Sequence, residues 1–216
     1  MKKIAVMISG SGSNLEAIVK ACHEKNIYGE IVYVISNNPD AYGIERAKKY
    51  NIPVKIIDHK SYTDRDDFDN ALKEFLDNLE IDLIILAGFM RILGKNITEK
   101  FYGKMINLHP SLLPLYPGLN THTQALNNKD KYHGISIHFV SAELDAGPLI
   151  AQGKVLVQAD DDLEKLVSKI HKVEHDLLPK IINELCTNNI YLNCETNKVM
   201  YSDNLDSKIS LTYFND

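Results

Sequence analysis

Apolar residues fall along this chain in two rhythms. One is the short, nearly unbroken run: Ile4–Ile8, Ile31–Ile35, Pro53–Ile57 and Asp82–Ala87. Runs of this kind predict strands covered on both faces, as in a parallel sheet. The other rhythm is helical. Leu15, Ala17, Ile18 and Ala21 follow the first run, 40–50 reads as a second helix, and Phe68, Leu72, Phe75, Leu76 and Leu79 line one side of a third. Thr63 is placed to cap that third helix, and the acids near its start suit the positive end of a helix. After Met105 the pattern changes. Met105–Leu108 is a short apolar strand that runs into Pro110 and Pro114, where it cannot continue. His133–Val140 alternates as a half-buried strand should, and Leu149–Val157 returns as its hairpin partner across Glu143–Pro148. A short helix is expected near 121–127, a long one over 160–185, and a terminal hairpin over 191–201, with a polar, loose tail beyond it.

These elements predict one α/β domain. Its sheet is Rossmann-like, twisted and mostly parallel, with helices on both faces and an antiparallel portion towards the C-terminus. The body spans 1–188, and 189–216 form a hairpin and tail packed on it or trailing from it. The chain has 216 residues, 44% of them hydrophobic and 25% charged, which suits one domain with a full core. A net charge of −5 argues against a nucleic-acid surface. Cys22, Cys186 and Cys194 are odd in number and widely spaced, which fits a reducing cytoplasm rather than a disulfide framework. No apolar run has the length of a membrane span, and the first strand is too short for a signal sequence.

Candidate chemistry gathers at the carboxyl ends of the predicted strands, where open parallel sheets bind ligands. After the first strand comes Ser9-Gly-Ser-Gly-Ser-Asn14. Such a loop lets backbone N–H groups approach an anion at a helix N-terminus. It lacks the Gly-Lys-Ser/Thr of a Walker A loop. It also lacks the third glycine of a dinucleotide fingerprint, because Leu15 stands there, and no acid closes the second strand. A phosphate-monoester cradle is therefore favoured over a nucleotide site; the plainer alternative is a helix capped by Ser13 or Asn14. Gly88-Phe-Met-Arg-Ile-Leu93 follows the fourth strand, offering close backbone approach and an apolar wall. Asn107 and His109 lie two apart on an extended segment, so both leave one face. An amide and an imidazole side by side supply a hydrogen-bond donor and a proton carrier, as acyl transfer to an amine requires. Asp145 lies on a loop beside the strand of His138, where a carboxylate can orient an imidazole. Arg65 reads first as pairing with Asp66 or Asp69 on a solvated face. His171-Lys-Val-Glu-His175 matches an inverted zinc-protease pattern, but a further ligand is lacking, so no metal is expected.

With these segments assembled, the chain resembles the folate-dependent phosphoribosylglycinamide formyltransferases over roughly its first 185 residues. Five motifs carry the likeness: Ser9–Leu15, Ala87–Leu93, Asn107–Pro114, His133–Phe139 and Leu144–Pro148. The resemblance implies the formyltransferase fold. It also implies direct transfer of formyl from 10-formyltetrahydrofolate to the amine of 5-phosphoribosylglycinamide (GAR), in purine biosynthesis, with no metal and no nucleotide. It assigns GAR to Gly12, Ser13, Asn14, Leu15, Glu16, His171, Lys172, Val173 and Glu174. The folate goes to Arg65, Met90, Arg91, Ile92, Leu93, Asn107, Ser141, Ala142, Glu143, Leu144 and Asp145. The catalytic set is Asn107, His109 and Asp145. The expected assembly is a monomer or weak homodimer in the cytoplasm, without nucleic-acid or membrane partners. Two departures stand out. The usual Asp-Gly-Gly-Pro turn is Asp145-Ala-Gly-Pro148, and Thr123 replaces a common basic residue.

Related readings remain beside this one. A formyltetrahydrofolate hydrolase shares the three catalytic residues but usually carries an N-terminal regulatory domain, whereas this chain begins at the first strand. A methionyl-tRNA formyltransferase needs an RNA-binding domain and a basic surface. A non-catalytic folate-binding relative would have little use for the intact trio.

Overall fold

The computed structural model describes residues 1–203, 205 and 212–215. The strands are β1 (Lys2–Ile8), β2 (Gly29–Ser36), β3 (Val54–Ile56), β4 (Leu83–Leu86), β5 (Met105–His109), β6 (Tyr132–Phe139), β7 (Leu149–Leu156), β8 (Ile190–Asn193), β9 (Lys198–Tyr201) and β10 (Thr212–Asn215). The helices are α1 (Ser13–His23), α2 (Gly43–Lys49), α3 (Arg65–Asp77), α4 (Lys95–Lys100), α5 (Thr121–Asn127) and α6 (Leu163–Cys186). One eight-stranded sheet runs in the order β10-β7-β6-β5-β4-β1-β2-β3. From β3 to β5 its strands are parallel, β5–β6 and β6–β7 are antiparallel, and β10 lies parallel to β7.

The unbroken apolar runs have the expected cause. Ile4 to Ile8 are all fully buried because β1 is covered on both faces. Ile4, Val6 and Ile8 pack with Leu15 and Ile18 of α1 and Leu177 and Leu178 of α6. Ala5 and Met7 face the opposite layer, with Phe68, Leu72 and Leu76 of α3. Alternation along one strand thus builds two cores, one on each side of the sheet.

Helix boundaries shift where side-chain caps decide them. Asp64, not Thr63, caps α3, accepting the Asp67 N–H at 2.9 Å. Asp162 caps α6 by accepting the Lys165 N–H at 2.8 Å, so that helix starts three residues after Asp160. Asp40 precedes α2, held in a turn by the Asn38 side chain, which accepts its N–H at 3.1 Å. Neither Ser13 nor Asn14 caps α1; Gly12 holds that position in the left-handed region at φ 70°.

The β8–β9 hairpin forms as expected and stays with the body: the Tyr201 hydroxyl donates to the Ile150 carbonyl at 2.9 Å. Part of the tail corrects its reading, since 212–215 form a strand on the β7 edge. The expectation of a loose end otherwise falls on 204, 206–211 and 216, outside the described residues. Burial raises the thiols of Cys22 and Cys186, to about 11 and about 12. Among the described residues, no helix is long and apolar enough to cross a membrane.

Candidate active site

Two loops and one strand end meet at the carboxyl edge of the sheet. The Ser9 hydroxyl joins them: it donates to Asn37 Oδ1 at 2.5 Å and accepts the Met90 N–H at 2.7 Å. The Gly-Ser loop after β1, the end of β2 and the turn after β4 are thereby fixed to one another.

On the α1 side, Asn14 is buried and its Nδ2 donates to Glu174 Oε2 at 3.0 Å. Glu174 is 6% exposed. Burial pushes its carboxyl up to about 7, while the Asn14 hydrogen bond pulls the other way. Leu15 and Val173 are fully buried in the core, so their side chains present nothing to a ligand. Glu16 is paired with Arg46 and with Lys20, the latter at 3.4 Å. His171 and Lys172 are exposed. The rings of His171 and His175 stack at 5.9 Å while Glu174 turns towards Asn14, so the three side chains of the zinc-protease-like pattern do not converge.

Glu174 carries a pH signature. Its folded value lies above the unfolded one, so the folded state binds more protons between pH 4.5 and about 7. Stability then falls as pH rises through that window. Glu174→Gln is expected to remove this fall, giving a melting temperature less dependent on pH from 4.5 to 7, measured by calorimetry. An unchanged slope would show that the carboxyl is not perturbed.

On the other side lies a cleft lined by Leu86, Phe89, Arg91, Ile92, Leu93, Asn107, His138, Val140 and the segment Ser141–Asp145. Nine of the residues expected around the folate line it; Arg65 and Met90 do not. Met90 is exposed on the rim, and Arg65 sits at the start of α3, its charge acting on Asp69 beside Gly94. The guanidinium of Arg91 lies over the Phe68 ring at 5.7 Å.

Between the two sides stands a polar cluster. Asn107 pairs directly with His138 across β5–β6, which puts both side chains on one face. Asp145 enters from the β6–β7 loop, its backbone left-handed at φ 49°. Aspartate is among the few non-glycine residues that adopt this region readily, which suits it to this turn. Asp145 Oδ2 accepts the Gly118 N–H at 2.8 Å and lies 3.3 Å from His109 Nδ1. Oδ1 is 3.4 Å from Asn107 Nδ2 and 3.8 Å from His138 Nε2. His109 Nε2 faces the Tyr116 carbonyl at 2.8 Å. Both ring nitrogens of His109 therefore face acceptors, and two N–H groups are needed to satisfy both.

His138 is fixed differently. Its Nδ1 lies 2.9 Å from the Phe139 carbonyl, which only accepts, so the proton is assigned to Nδ1. Nε2 is then free to accept from Asn107 Nδ2 at 3.2 Å. Burial lowers the His138 value, consistent with this neutral form. Behind His109, His122 Nδ1 and His133 Nε2 are 2.9 Å apart, and burial pushes His133 down to about 4.

Sequence reading singled out Asn107, His109 and Asp145, and the structure brings them together. It did not foresee the 113–118 segment folding over His109, which supplies the Tyr116 carbonyl and the Gly118 N–H. The signal was the spacing of Pro110, Pro114 and Pro117, a stiff loop unable to pair as strand. Ala146 is exposed, so its methyl meets no packing penalty. The glycine this turn requires is Gly147, where a Cβ would lie 1.8 Å from the Phe139 carbonyl oxygen.

Residues 2–182 match the formyl transferase family. The phosphoribosylglycinamide formyltransferase of Haemophilus influenzae is 43% identical over 182 residues, covering 84% of this chain and 86% of that protein. The Escherichia coli enzyme of the same name is 44% identical over 180 residues, covering 83% and 85%. The solved phosphoribosylglycinamide formyltransferase of Coxiella burnetii superposes with a TM-score of 0.89 at 40% identity, covering 100% of this chain and 99% of that one. By this match over most of its length, the chain belongs to the formyl transferase family, among the phosphoribosylglycinamide formyltransferases.

Proposed function

We propose that this cluster moves the formyl group of 10-formyltetrahydrofolate onto the primary amine of GAR, and that the residues named above divide the work. The phosphate of GAR lies on the Gly12–Asn14 backbone, with the Glu174 carboxyl towards its amine. The folate ring enters the cleft between Arg91–Leu93 and Ser141–Asp145. The observation that carries this reading is the engagement of Asn107 and His109 by the two oxygens of one carboxylate.

The amine nitrogen attacks the formyl carbon, and the carbonyl oxygen becomes an oxyanion. Asn107 Nδ2 and a protonated His109 donate to it, each exchanging one of its contacts within the resting cluster for the oxyanion. The tetrahedral carbon then releases the folate N10. The amine loses one proton and N10 gains one, and Asp145 with His109 provides the path. The 3.3 and 3.4 Å contacts around Asp145 are long for N–H···O bonds. Such contacts shorten when the reacting groups are bound. An oxyanion donor contributes ~10²–10³ in rate, and acid–base assistance ~10²–10⁴.

An absorbance assay of formyl loss from the folate, with and without GAR, tests the reading. Loss that depends on GAR and yields one formyl-GAR per folate is expected. Equal loss without GAR would make the chain a hydrolase, and folate binding without turnover a binding relative.

A further inference from the structure

We infer that Gly43 and Arg46 are positioning residues for the substrate's phosphate, acting through the Gly-Ser loop they hold from behind. The inference rests on the assignment of that phosphate to Gly12–Asn14, and the experiment below separates the two.

The first turn of α2 is pressed against the loop. The Gly43 N–H donates to the Gly10 carbonyl at 3.0 Å, and Arg46 Nε–H donates to the Ser11 carbonyl at 2.9 Å. Gly12 and Gly43 meet backbone to backbone. A Cβ on Gly12 would come 2.6 Å from the Gly43 Cα, and one on Gly43 would come 2.5 Å from Ile8 Cδ1 and 3.1 Å from the Gly12 Cα. Arg46 is locked on its other sides as well: its guanidinium pairs with Glu16 in α1 and lies over the Tyr42 ring at 5.1 Å.

A trans peptide is planar, with its C=O and the following N–H pointing in opposite directions. Tying the Ser11 carbonyl back towards α2 therefore turns the Gly12 N–H forward, and the Gly10 anchor fixes the peptide plane that leads into it. A phosphate on this loop needs that donor and is repelled by carbonyl oxygens. Without the anchors, either peptide can rotate and present its oxygen to the anion. Arg46 suits the task because its planar fork can serve the Ser11 carbonyl and Glu16 together. Lysine keeps the charge but has a single, flexible donor head.

Steady-state kinetics with GAR and with its dephosphorylated analogue tests this in the native enzyme, Arg46→Ala, Arg46→Lys and Gly43→Ala. Native enzyme is expected to prefer GAR strongly. Arg46→Ala and Gly43→Ala should raise the KM for GAR at least about tenfold, as befits a lost hydrogen bond to a charged group. The KM for folate and the activity on the analogue should stay within about twofold, so the preference for the phosphate shrinks. Arg46→Lys should resemble Arg46→Ala. Melting temperatures accompany each variant, and Gly43→Ala keeps the test open should Arg46→Ala not fold. Native enzyme that handles both substrates equally would overturn the phosphate assignment, and this inference with it. Variants that keep the full preference would overturn the inference alone. Recovery in Arg46→Lys would also overturn it, by showing that charge rather than anchoring matters.

Discussion

Asp145→Ala is expected to lower turnover by at least about a hundredfold, with the KM for each substrate changed only a few-fold. Asp145 Oδ2 takes the Gly118 N–H and faces His109 Nδ1, while Oδ1 faces Asn107 Nδ2. Removing the carboxylate leaves the amide and the imidazole without the group that aims them, and leaves a protonated His109 without its counter-charge. All of these contacts are made within the protein, so the loss is expected chiefly in the chemical step. Alanine also tolerates the left-handed backbone at φ 49° poorly, whereas asparagine adopts it readily. Asp145→Asn is thus the sharper variant, because it preserves shape and backbone and deletes only the charge. Single-turnover formyl transfer in both variants is the measurement. A rate within tenfold of native in the Asn variant would remove the carboxylate from the mechanism. His109→Ala belongs in the same experiment, with a loss of similar size expected from the same argument.

The second large effect is structural. Gly147→Ala should lower the melting temperature by about 5 °C or more, or prevent folding, because overpacking costs about 1–3 kcal/mol. The new Cβ would sit 1.8 Å from the Phe139 oxygen and 2.9 Å from its carbonyl carbon. Relief requires moving β6 away from this loop. Phe139 is fully buried, and its N–H is tied to the Pro148 carbonyl at 2.9 Å, so neither side yields cheaply. Ala146→Gly is the matched control: it restores the commoner Gly-Gly at an exposed position and should move the melting temperature little. Equal effects of the two substitutions would contradict the close approach.

The sheet and the convergence of Asn107, His109 and Asp145 were legible because both rest on short-range rules. Unbroken apolar runs marked β1, β2 and β4, and the two-residue spacing of Asn107 and His109 placed both on one face of β5. Asp145 was reachable because a hairpin must return its loop beside β6. What stayed hidden depends on contacts across long stretches of sequence. Nothing local distinguishes Gly43 from an ordinary helix-start glycine, since its reasons are Ile8 and Gly12, thirty-five and thirty-one residues earlier. Thr63 and Asp64 are both good caps, and only the path of the backbone chooses between them. Arg65 lies at the start of α3, outside the cleft lining, and its charge acts on the buried Asp69. The pairing of 212–215 with β7 had no periodic signal at all.

β5 lies in the interior of the sheet, flanked by β4 on one side and β6 on the other. Asn107 and His109 therefore stand on a floor that cannot fray before the sheet itself opens. Asp145 alone hangs from a surface turn. A substitution in that turn can therefore shift the carboxylate while the amide and imidazole beneath it keep their separation.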